Sequence, residues 1–322
     1  MSPQVSVLIA THNRAEILRD TLEAMTQLEA PDGGWELIVI DNRSTDRTRH
    51  VCDSFQGLLP LVYRYEPRQG KNAALNSGIK IAKGQLFVFT DDDVTPEPDW
   101  LLQLCMAASS HRDVCVFGGP YYDRLPSTVP DWVIRATRNT VYVGDSHPDR
   151  KTGPYPPDAQ PPGVNLAIRR SIFAQRRYRY EESVGPRGKG RISGSERELL
   201  YRLRDDGFVL LHVSTARVHH RWYEKQFAPR LLIRRSFGIG RGKARLRRSA
   251  VGVKHLWGIP RYLFRRYAEE TASGFMGFLR GDWAVGLRAI LRLSQYTGIA
   301  YQSLRQRQRK KIRSEPVSGG TS

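Results

Sequence analysis

Residues Leu86 to Val94, LFVFTDDDV, run through four apolar side chains and then into three consecutive carboxylates, Asp91, Asp92 and Asp93. An apolar run of this length bounded by polar residues is the pattern of a buried strand. In an open α/β sheet, ligands gather at the carboxyl ends of such strands. Three adjacent acids repel one another, so something cationic is expected among them. Oxygen ligands favour a hard divalent ion, Mg2+ or Mn2+, with a substrate phosphate completing the shell. The competing reading is an acidic turn with a helix cap, for which Asp is equally common. The triplet alone does not separate the two.

What precedes it constrains the fold. VSVLIATHNR (Val5 to Arg14) reads as a strand with a polar tip, and Ala15 to Leu28 has helical spacing of apolar residues. Glu36 to Asp46 gives a second strand with an acidic tip, followed by a helix through Phe55 that Ser44 or Thr45 would cap. Leu61 to Glu66 is a third strand. Gly70 to Lys83 is helical and closes at Gly84, placed as a C′ glycine. This β-α-β-α-β-α-β order within about 90 residues predicts a doubly wound, largely parallel sheet. No G-x-G-x-x-G follows the first strand, which disfavours an NAD-binding Rossmann domain. The strand tips instead carry Thr11, His12, Asn13 and Arg14, then Asp41 and Asn42, then the acid triplet. Together they would line one edge of the sheet, as a nucleotide requires.

Beyond Trp100 the pattern loosens. Leu125 to Pro162 is proline-rich and reads as irregular loops around a cleft, while Gly163 to Phe173 resumes order. Ser183 to Glu196 is glycine-rich and reads as a mobile loop, Ser195 to Asp206 as a helix, and Gly207 to Arg221 as a strand ending near His219 and His220.

These pieces resemble glycosyltransferase family 2, nucleotide-sugar-dependent enzymes of GT-A fold. The resemblance rests on VSVLIATHNR, ELIVIDNRSTD, QGKNAALNSGIKIAKG, FVFTDDDV, GVNLAIRRSIF and GSERELLYRLRDDGF, in that order. It implies that Asp41 accepts hydrogen bonds from the base, and that Asp91 lies near the ribose. Asp93 would hold a divalent ion on the diphosphate, with His219 or His220 as a further ligand. Thr11, Asn13 and Arg14 would line the nucleotide pocket, with Lys71 and Arg68 near the phosphates; Asp92 joins them with no separate role. The family's catalytic carboxylate aligns with Glu196, whereas Ser195 with Glu198 forms a capping box that makes Glu198 structural by default and the second candidate for base. A carboxylate in the first turn of a helix is favoured in its ionised form, and one there could take the proton from an attacking hydroxyl. The departures are a Ser-Glu pair after Gly194 in place of Glu-Asp, and an Arg221-Trp222 pair without the glutamine that accompanies it in processive synthases.

The charge distribution points elsewhere in the chain. Of the net +19, residues 229–322 carry +17, from 21 Lys and Arg against four acids. Between Leu256 and Leu304, aromatic and aliphatic residues alternate with arginines, with no uncharged run of the roughly 18–20 residues that a spanning helix needs. The pattern fits amphipathic helices lying on an anionic membrane surface. GIGRGK (Gly238 to Lys243) follows no strand and reads as a flexible basic turn rather than a phosphate loop. Three cysteines without CxxC spacing fit a reducing compartment, and no secretory leader is apparent at the amino terminus.

The expectation is therefore an α/β GT-A domain over residues 1–225 (a nucleotide-binding half, 1–95, and an acceptor half, 96–225). A basic amphipathic helical extension, 226–305, and a disordered tail, 306–322, follow. The activity expected is an inverting, metal-assisted transfer of one sugar to a polysaccharide or lipid-linked acceptor, at the cytosolic face of a membrane. A nucleotidyltransferase would need a glycine-rich Arg-Lys loop after the first strand, which is missing. A nucleic-acid-binding protein would account for the charge and leave the acid triplet unexplained.

Overall fold

The computed structural model describes residues 4–314 apart from 139, 142, 145, 147, 188–189 and 247–252. In chain order the elements are β1 (Val5–Thr11), α1 (Ala15–Met25), β2 (Trp35–Asp41), α2 (Thr48–Ser54), β3 (Leu61–Tyr65), α3 (Lys71–Ile81), β4 (Leu86–Thr90), β5 (Val94–Pro96) and α4 (Trp100–Ser110). There follow β6 (Val116–Gly118), β7 (Tyr121–Arg124), α5 (Asp131–Thr137), β8 (Gly153–Pro154), β9 (Leu166–Arg169), α6 (Arg170–Ala174), β10 (Gly185–Arg187), β11 (Gly190–Ile192) and α7 (Ser195–Asp205). The chain closes with β12 (Leu210–His212), β13 (Val218–Arg221), α8 (Pro229–Leu246), β14 (His255–Leu256), β15 (Ile259–Pro260), α9 (Tyr262–Leu279) and α10 (Trp283–Ser314). They form two compact units. The first is Met1–Pro126, Gly144–Lys189 and Ser195–Tyr223; the second is Ser127–Val143, Gly190–Gly194 and Glu224–Ser322.

The first unit is built on an eight-stranded sheet of order β3-β2-β1-β4-β9-β6-β12-β8. The strands from β3 to β4 run parallel, β6 and β12 are parallel to each other, and β9 runs antiparallel to both β4 and β6. Because side chains alternate across a strand, β1, β2 and β4 each feed two cores. Val7 and Ile9, Leu37 and Val39, and Leu86 and Val88 meet Leu18, Leu22 and Met25 of α1 and Trp100 and Leu104 of α4 on one face. Leu8, Ile38, Ile40, Phe87 and Phe89 meet Leu75 and Ile79 of α3 and Leu199 and Leu203 of α7 on the other. This is the doubly wound architecture that the alternating pattern predicts.

Several local expectations are corrected. Ser44 and Thr45 do not cap α2. Asp46 does, accepting from the Thr48 amide and hydroxyl, while its other oxygen accepts from the Ala15 amide at the start of α1. Gly84 is no left-handed cap, since α3 ends at Ala82 in extended conformation. It is a point of contact: a Cβ there would lie 2.5 Å from the Ser6 amide nitrogen. Ser6 accepts from the Gly84 amide and donates to the buried Glu36 carboxylate, so β1 grips the entrance to β4. The proline-rich stretch contains the helix α5, entered at Pro130, whose fixed φ suits a helix start. Of the glycine-rich segment read as mobile, residues 188–189 lie outside the described residues. Asn165 of GVNLAIRRSIF is fully buried. It accepts from the Trp100 indole and donates to the Pro120 and Ala216 carbonyls, tying α4 to the turns before β7 and β13.

In the second unit, GIGRGK is helix interior within α8. Its glycines let helices touch: a Cβ on Gly240 would overlap the Gln295 carbonyl of α10, and one on Gly298 the Phe237 carbonyl of α8. A close crossing, rather than a phosphate or a flexible turn, accounts for the motif. Helix α10 runs on to Ser314, into the stretch read as tail, and residues 315–322 lie outside the described residues.

Gly84→Ala should cost about 1–3 kcal/mol, the range for forcing extra volume into a packed site. Urea denaturation checks it, and an unchanged midpoint would mean that β1 and β4 have slack there.

Candidate functional site at the carboxyl edge of the sheet

The tips of β1, β2 and β3 are laced to one another before any ligand is considered. Asn13 adopts φ +51, a left-handed conformation that Asn tolerates. Its amide donates to Ser44 Oγ at 2.9 Å and its Oδ1 accepts from the Thr45 amide at 2.7 Å. The His12 ring nitrogen Nδ1 lies 2.7 Å from the Asn42 carbonyl. Asn42 donates to the Glu66 and Arg68 carbonyls and accepts from the Gly70 amide, fixing the entry to α3. Asp41 is buried, with one oxygen accepting from the Ser44 amide and the other from the Tyr63 hydroxyl, each at 2.7 Å. Burial and that bond to Asp41 push the Tyr63 hydroxyl above its usual range.

The acid triplet is met by three cations from three different elements. Lys71, in the first turn of α3, pairs with Asp91. Arg14 forks between Asp92 Oδ1 at 2.6 Å and Asp93 Oδ2 at 2.7 Å. His220, on β13, faces Asp93 Oδ1 with Nε2 at 3.5 Å, and its Nδ1 lies 3.1 Å from Asp123 Oδ1. Burial alone would lower the His220 pKa, but Asp93 and Asp123 outweigh it and raise it to about 9. Burial works against the charge of Asp93 as well, and His220 and Arg14 overcome it and hold the carboxyl below its usual range. Burial pushes the Asp92 carboxyl up to about 6 against the pull of Arg14, with Asp93 adding to the rise. The cation that the triplet demanded is thus supplied in part by the chain itself.

Asp92, the residue without a role in the sequence, turns out to be the internal anchor. It accepts from Thr11 Oγ1 at 2.6 Å and from Arg14, and its carbonyl accepts from Thr21 Oγ1 at 2.7 Å. Thr21 and Thr95 in turn receive the Arg221 guanidinium, so β13 is braced against α1 and β5. The two histidines separate by strand alternation. His219 turns to Glu97, 2.5 Å from Nε2, and only His220 reaches the triplet. The buried–intermediate alternation along β13 puts His220 on the same side as the buried Val218, and a period-two reading of VHHR would have chosen it. Asp123 had no such signal, because it is brought beside His220 by a parallel pairing of β7 with β13.

The two candidate bases also part. Glu198 does not fold back on Ser195. It pairs with Arg202, one turn on, at 2.8 Å, and Arg202 is itself held by the Arg179 carbonyl. Glu196 makes no hydrogen bond or ion pair among the described residues. Its carboxylate sits against Gly163, where an added Cβ would come within 3.0 Å of Cδ. Burial works against the charge of Lys71, and Asp91 overcomes it, with Glu196 adding to the rise. Burial raises the Tyr180 hydroxyl, with Glu196 again adding, so Glu196 lies in the same field as the Lys71–Asp91 pair.

Among the described residues, no group of three His, Cys, Asp or Glu converges as a ready-made metal cage. One carboxylate oxygen does stand out: Asp93 Oδ1 is buried and makes no hydrogen bond among the described residues. With His220 Nε2 opposite, once an arriving cation displaces its proton, the site offers one oxygen and one nitrogen. Such a pair suits Mn2+ better than Mg2+ and leaves most of a coordination shell to phosphate oxygens and water. The residues present fit a divalent ion bound together with a diphosphate.

The model for glycosyl transferase family 2 matches residues 6–177, more than half of the chain. The chain belongs to that family. It is 26% identical over 284 residues to glycosyltransferase AglE of Haloferax volcanii, an alignment covering 86% of this chain and 82% of that protein. It is 24% identical over 249 residues to the glucosyl-dolichyl phosphate glucuronosyltransferase of the same organism, covering 74% of this chain and 76% of that protein. A mannosyltransferase from Pyrobaculum calidifontis, solved in complex with GDP-Man and Mn2+, superposes with a TM-score of 0.56 at 16% identity, covering 98% of this chain and 77% of that one. That likeness concerns the fold, which is the GT-A one expected from the sequence. This family member carries its acid triplet just past the carboxyl end of β4, as the order of motifs implied.

Asp92→Ala should destabilise the protein by on the order of 2–3 kcal/mol, because it orphans Thr11 and half of the Arg14 fork in a buried setting. Asp91→Ala should cost under about 1 kcal/mol, since the Lys71–Asp91 pair is partly open to water. Urea denaturation of the two variants side by side checks the difference, and equal losses would remove Asp92 from its anchoring role.

Proposed function

We propose that the protein is an inverting glycosyltransferase that moves one sugar from a nucleotide-diphosphate donor to a polysaccharide or lipid-linked acceptor. The observation that carries the reading is the contrast between the two glutamates of α7. Glu198 is spent on Arg202, while Glu196, unpaired among the described residues, lies against Gly163 in the field of the Lys71–Asp91 pair. A general base needs an ionised, unengaged carboxylate within reach of the acceptor hydroxyl. Glu196 takes the hydroxyl proton as the acceptor oxygen bonds to the anomeric carbon and the bond from that carbon to the diphosphate oxygen breaks. One displacement inverts the anomeric configuration.

The donor lies across the laced strand tips, its base toward Asp41 and its ribose toward Asp91. Thr11 and Asn13 shape the pocket wall, and Arg14 and Lys71 exchange part of their carboxylate contacts for phosphate oxygens. Asp93 and His220 would hold Mn2+ or Mg2+, which when bound neutralises charge on the leaving diphosphate as a Lewis acid. Asp123 orients the His220 ring by its contact with Nδ1. The name of the dolichyl-phosphate relative supports a lipid-linked acceptor, and the basic helices of residues 226–305 support work at the cytosolic face of a membrane. Residues 1–225 would then be the catalytic part and the helices its anchor, with no role for nucleic acid.

A screen of nucleotide sugars for Mn2+- or Mg2+-dependent hydrolysis, with and without acceptor, tests the reaction. Glu196→Gln should keep donor binding and lose at least about 100-fold in transfer, in line with the loss of a general base; full transfer activity in that variant would reject the assignment. His220→Ala should weaken Mn2+ binding in the presence of nucleoside diphosphate by about 10-fold or more, and His219→Ala should leave it unchanged. Calorimetric titration separates the two, and the reverse ranking would return the ligand role to His219.

A further inference from the structure

The hairpin of α9 and α10 is built inside out at its tip. Small residues fill the seam: a Cβ on Gly274 would come within 2.7 Å of Ala289 Cβ, one on Gly277 within 2.8 Å of Val285 Cγ1, and Gly286 lies against the Phe278 ring. The large apolar side chains of the same turns face outward instead. Phe275 is 62% exposed, Leu279 66% and Trp283 58%, with Met276 also exposed, and Phe278 shows part of its ring while the rest covers Gly286. The Phe278 and Trp283 rings meet edge to face at 5.7 Å, so the outer surface has an ordered aromatic corner. A hairpin stabilised by water would put its large apolar residues in the seam. Small residues inside with large ones outside is how helices pack where lipid is the solvent.

Neither helix is a membrane span: no helix among the described residues is long and apolar enough to cross a bilayer. The apolar patch covers only the last turns of α9 and the first of α10, a depth suited to the headgroup layer. The charge around it selects the surface. From Thr271 to Ser314 the only acid is Asp282, while Arg280 sits at the turn and Arg288 and Arg292 lie further along α10. Just before the tip, Glu269 and Glu270 are both ion-paired, with Arg265 and Arg266 and with Arg292 respectively. A second copy of the chain would also cover apolar surface, but it would bring its own +19 with it.

We propose that the α9–α10 tip, Phe275 to Trp283, is a wedge that inserts into the headgroup layer of an anionic bilayer, with the surrounding arginines meeting lipid phosphates. The inference deepens the membrane-surface part of the proposed function, yet it stands on the hairpin and not on the donor site.

The test uses the full chain and vesicles of phosphatidylcholine alone or mixed equally with phosphatidylglycerol. The protein should co-sediment with the mixed vesicles and far less with the neutral ones. Replacing Phe275, Leu279 and Trp283 together by Ser should weaken binding to mixed vesicles by at least about tenfold. The exposed positions predict a retained thermal midpoint, and if the triple variant fails to fold, Leu279→Asp alone carries the comparison. Brominated lipid should quench Trp283, read as the difference between the protein and its Trp283→Phe variant. Undiminished binding of the tip variants, or an unquenched Trp283 in vesicle-bound protein, overturns the wedge. So does lipid-free dimerisation that the tip variants abolish, which would assign the surface to a second copy. Donor hydrolysis measured on the same preparations keeps the two readings apart. Loss of the wedge with hydrolysis intact strikes this inference alone, and vesicle binding with no donor turned over strikes the transferase reading alone.

Discussion

The fork of Arg14 between Asp92 and Asp93 is the contact on which the first unit's functional edge depends. Three carboxylates in a row at the end of a buried strand are intolerable without compensation, and the compensation arrives from the turn between β1 and α1, from α3 and from β13, segments far apart in sequence. Each donor is positioned by its own element: Arg14 by the turn that Asn13 makes possible, Lys71 by the start of α3, His220 by the register of β13 against β7. Electrostatic need and fold closure are the same event here. An isolated surface ion pair contributes little; this arrangement matters because Asp92 and Asp93 are almost wholly buried, and removing one partner leaves the others uncompensated.

The same arrangement explains how a ligand-free site can be stable and still receptive. Every acid has a protein cation near it, but the pairing is incomplete at Asp93 Oδ1 and partly solvated at Lys71. Those are the places where incoming charge meets the least resistance. A diphosphate with a divalent ion brings both signs at once, so the exchange can proceed without leaving a bare charge in the interior.

Much of this was readable from the chain. Four apolar runs with polar tips, separated by helical spacing, led to the parallel half of the sheet, because strand and helix periods are local properties. Arg14, just past β1, and Lys71, at the start of α3, were named from the sequence, but as lining for a nucleotide and its phosphates rather than as partners of the triplet. What escaped was set by pairings between distant segments. Asp123 meets His220 only because β7 lies beside β13, and Asp92 becomes an anchor only once Thr11 and Thr21 are folded against it. The cap assigned to Ser44 or Thr45 went to Asp46 because that carboxylate can serve two helix starts at once, which a one-dimensional motif does not reveal. The glycines misled in a consistent direction. Gly84 was read as a helix cap and Gly240 as part of a flexible turn, and both turned out to mark places where two backbones press together, a distinction that needs the second backbone to be known.

Gly163 carries a wider consequence. The proposed base is steered by an absence: no side chain among the described residues pairs with Glu196, and its carboxylate is bounded on one side by the bare α-carbon of a residue 33 positions earlier. Chemistry at such a site can be retuned without touching any reactive group, since a single methyl group at position 163 would crowd the carboxylate and make it shift. A position with no functional group of its own thereby governs the aim of the one that has it, and a search restricted to polar residues would pass over it.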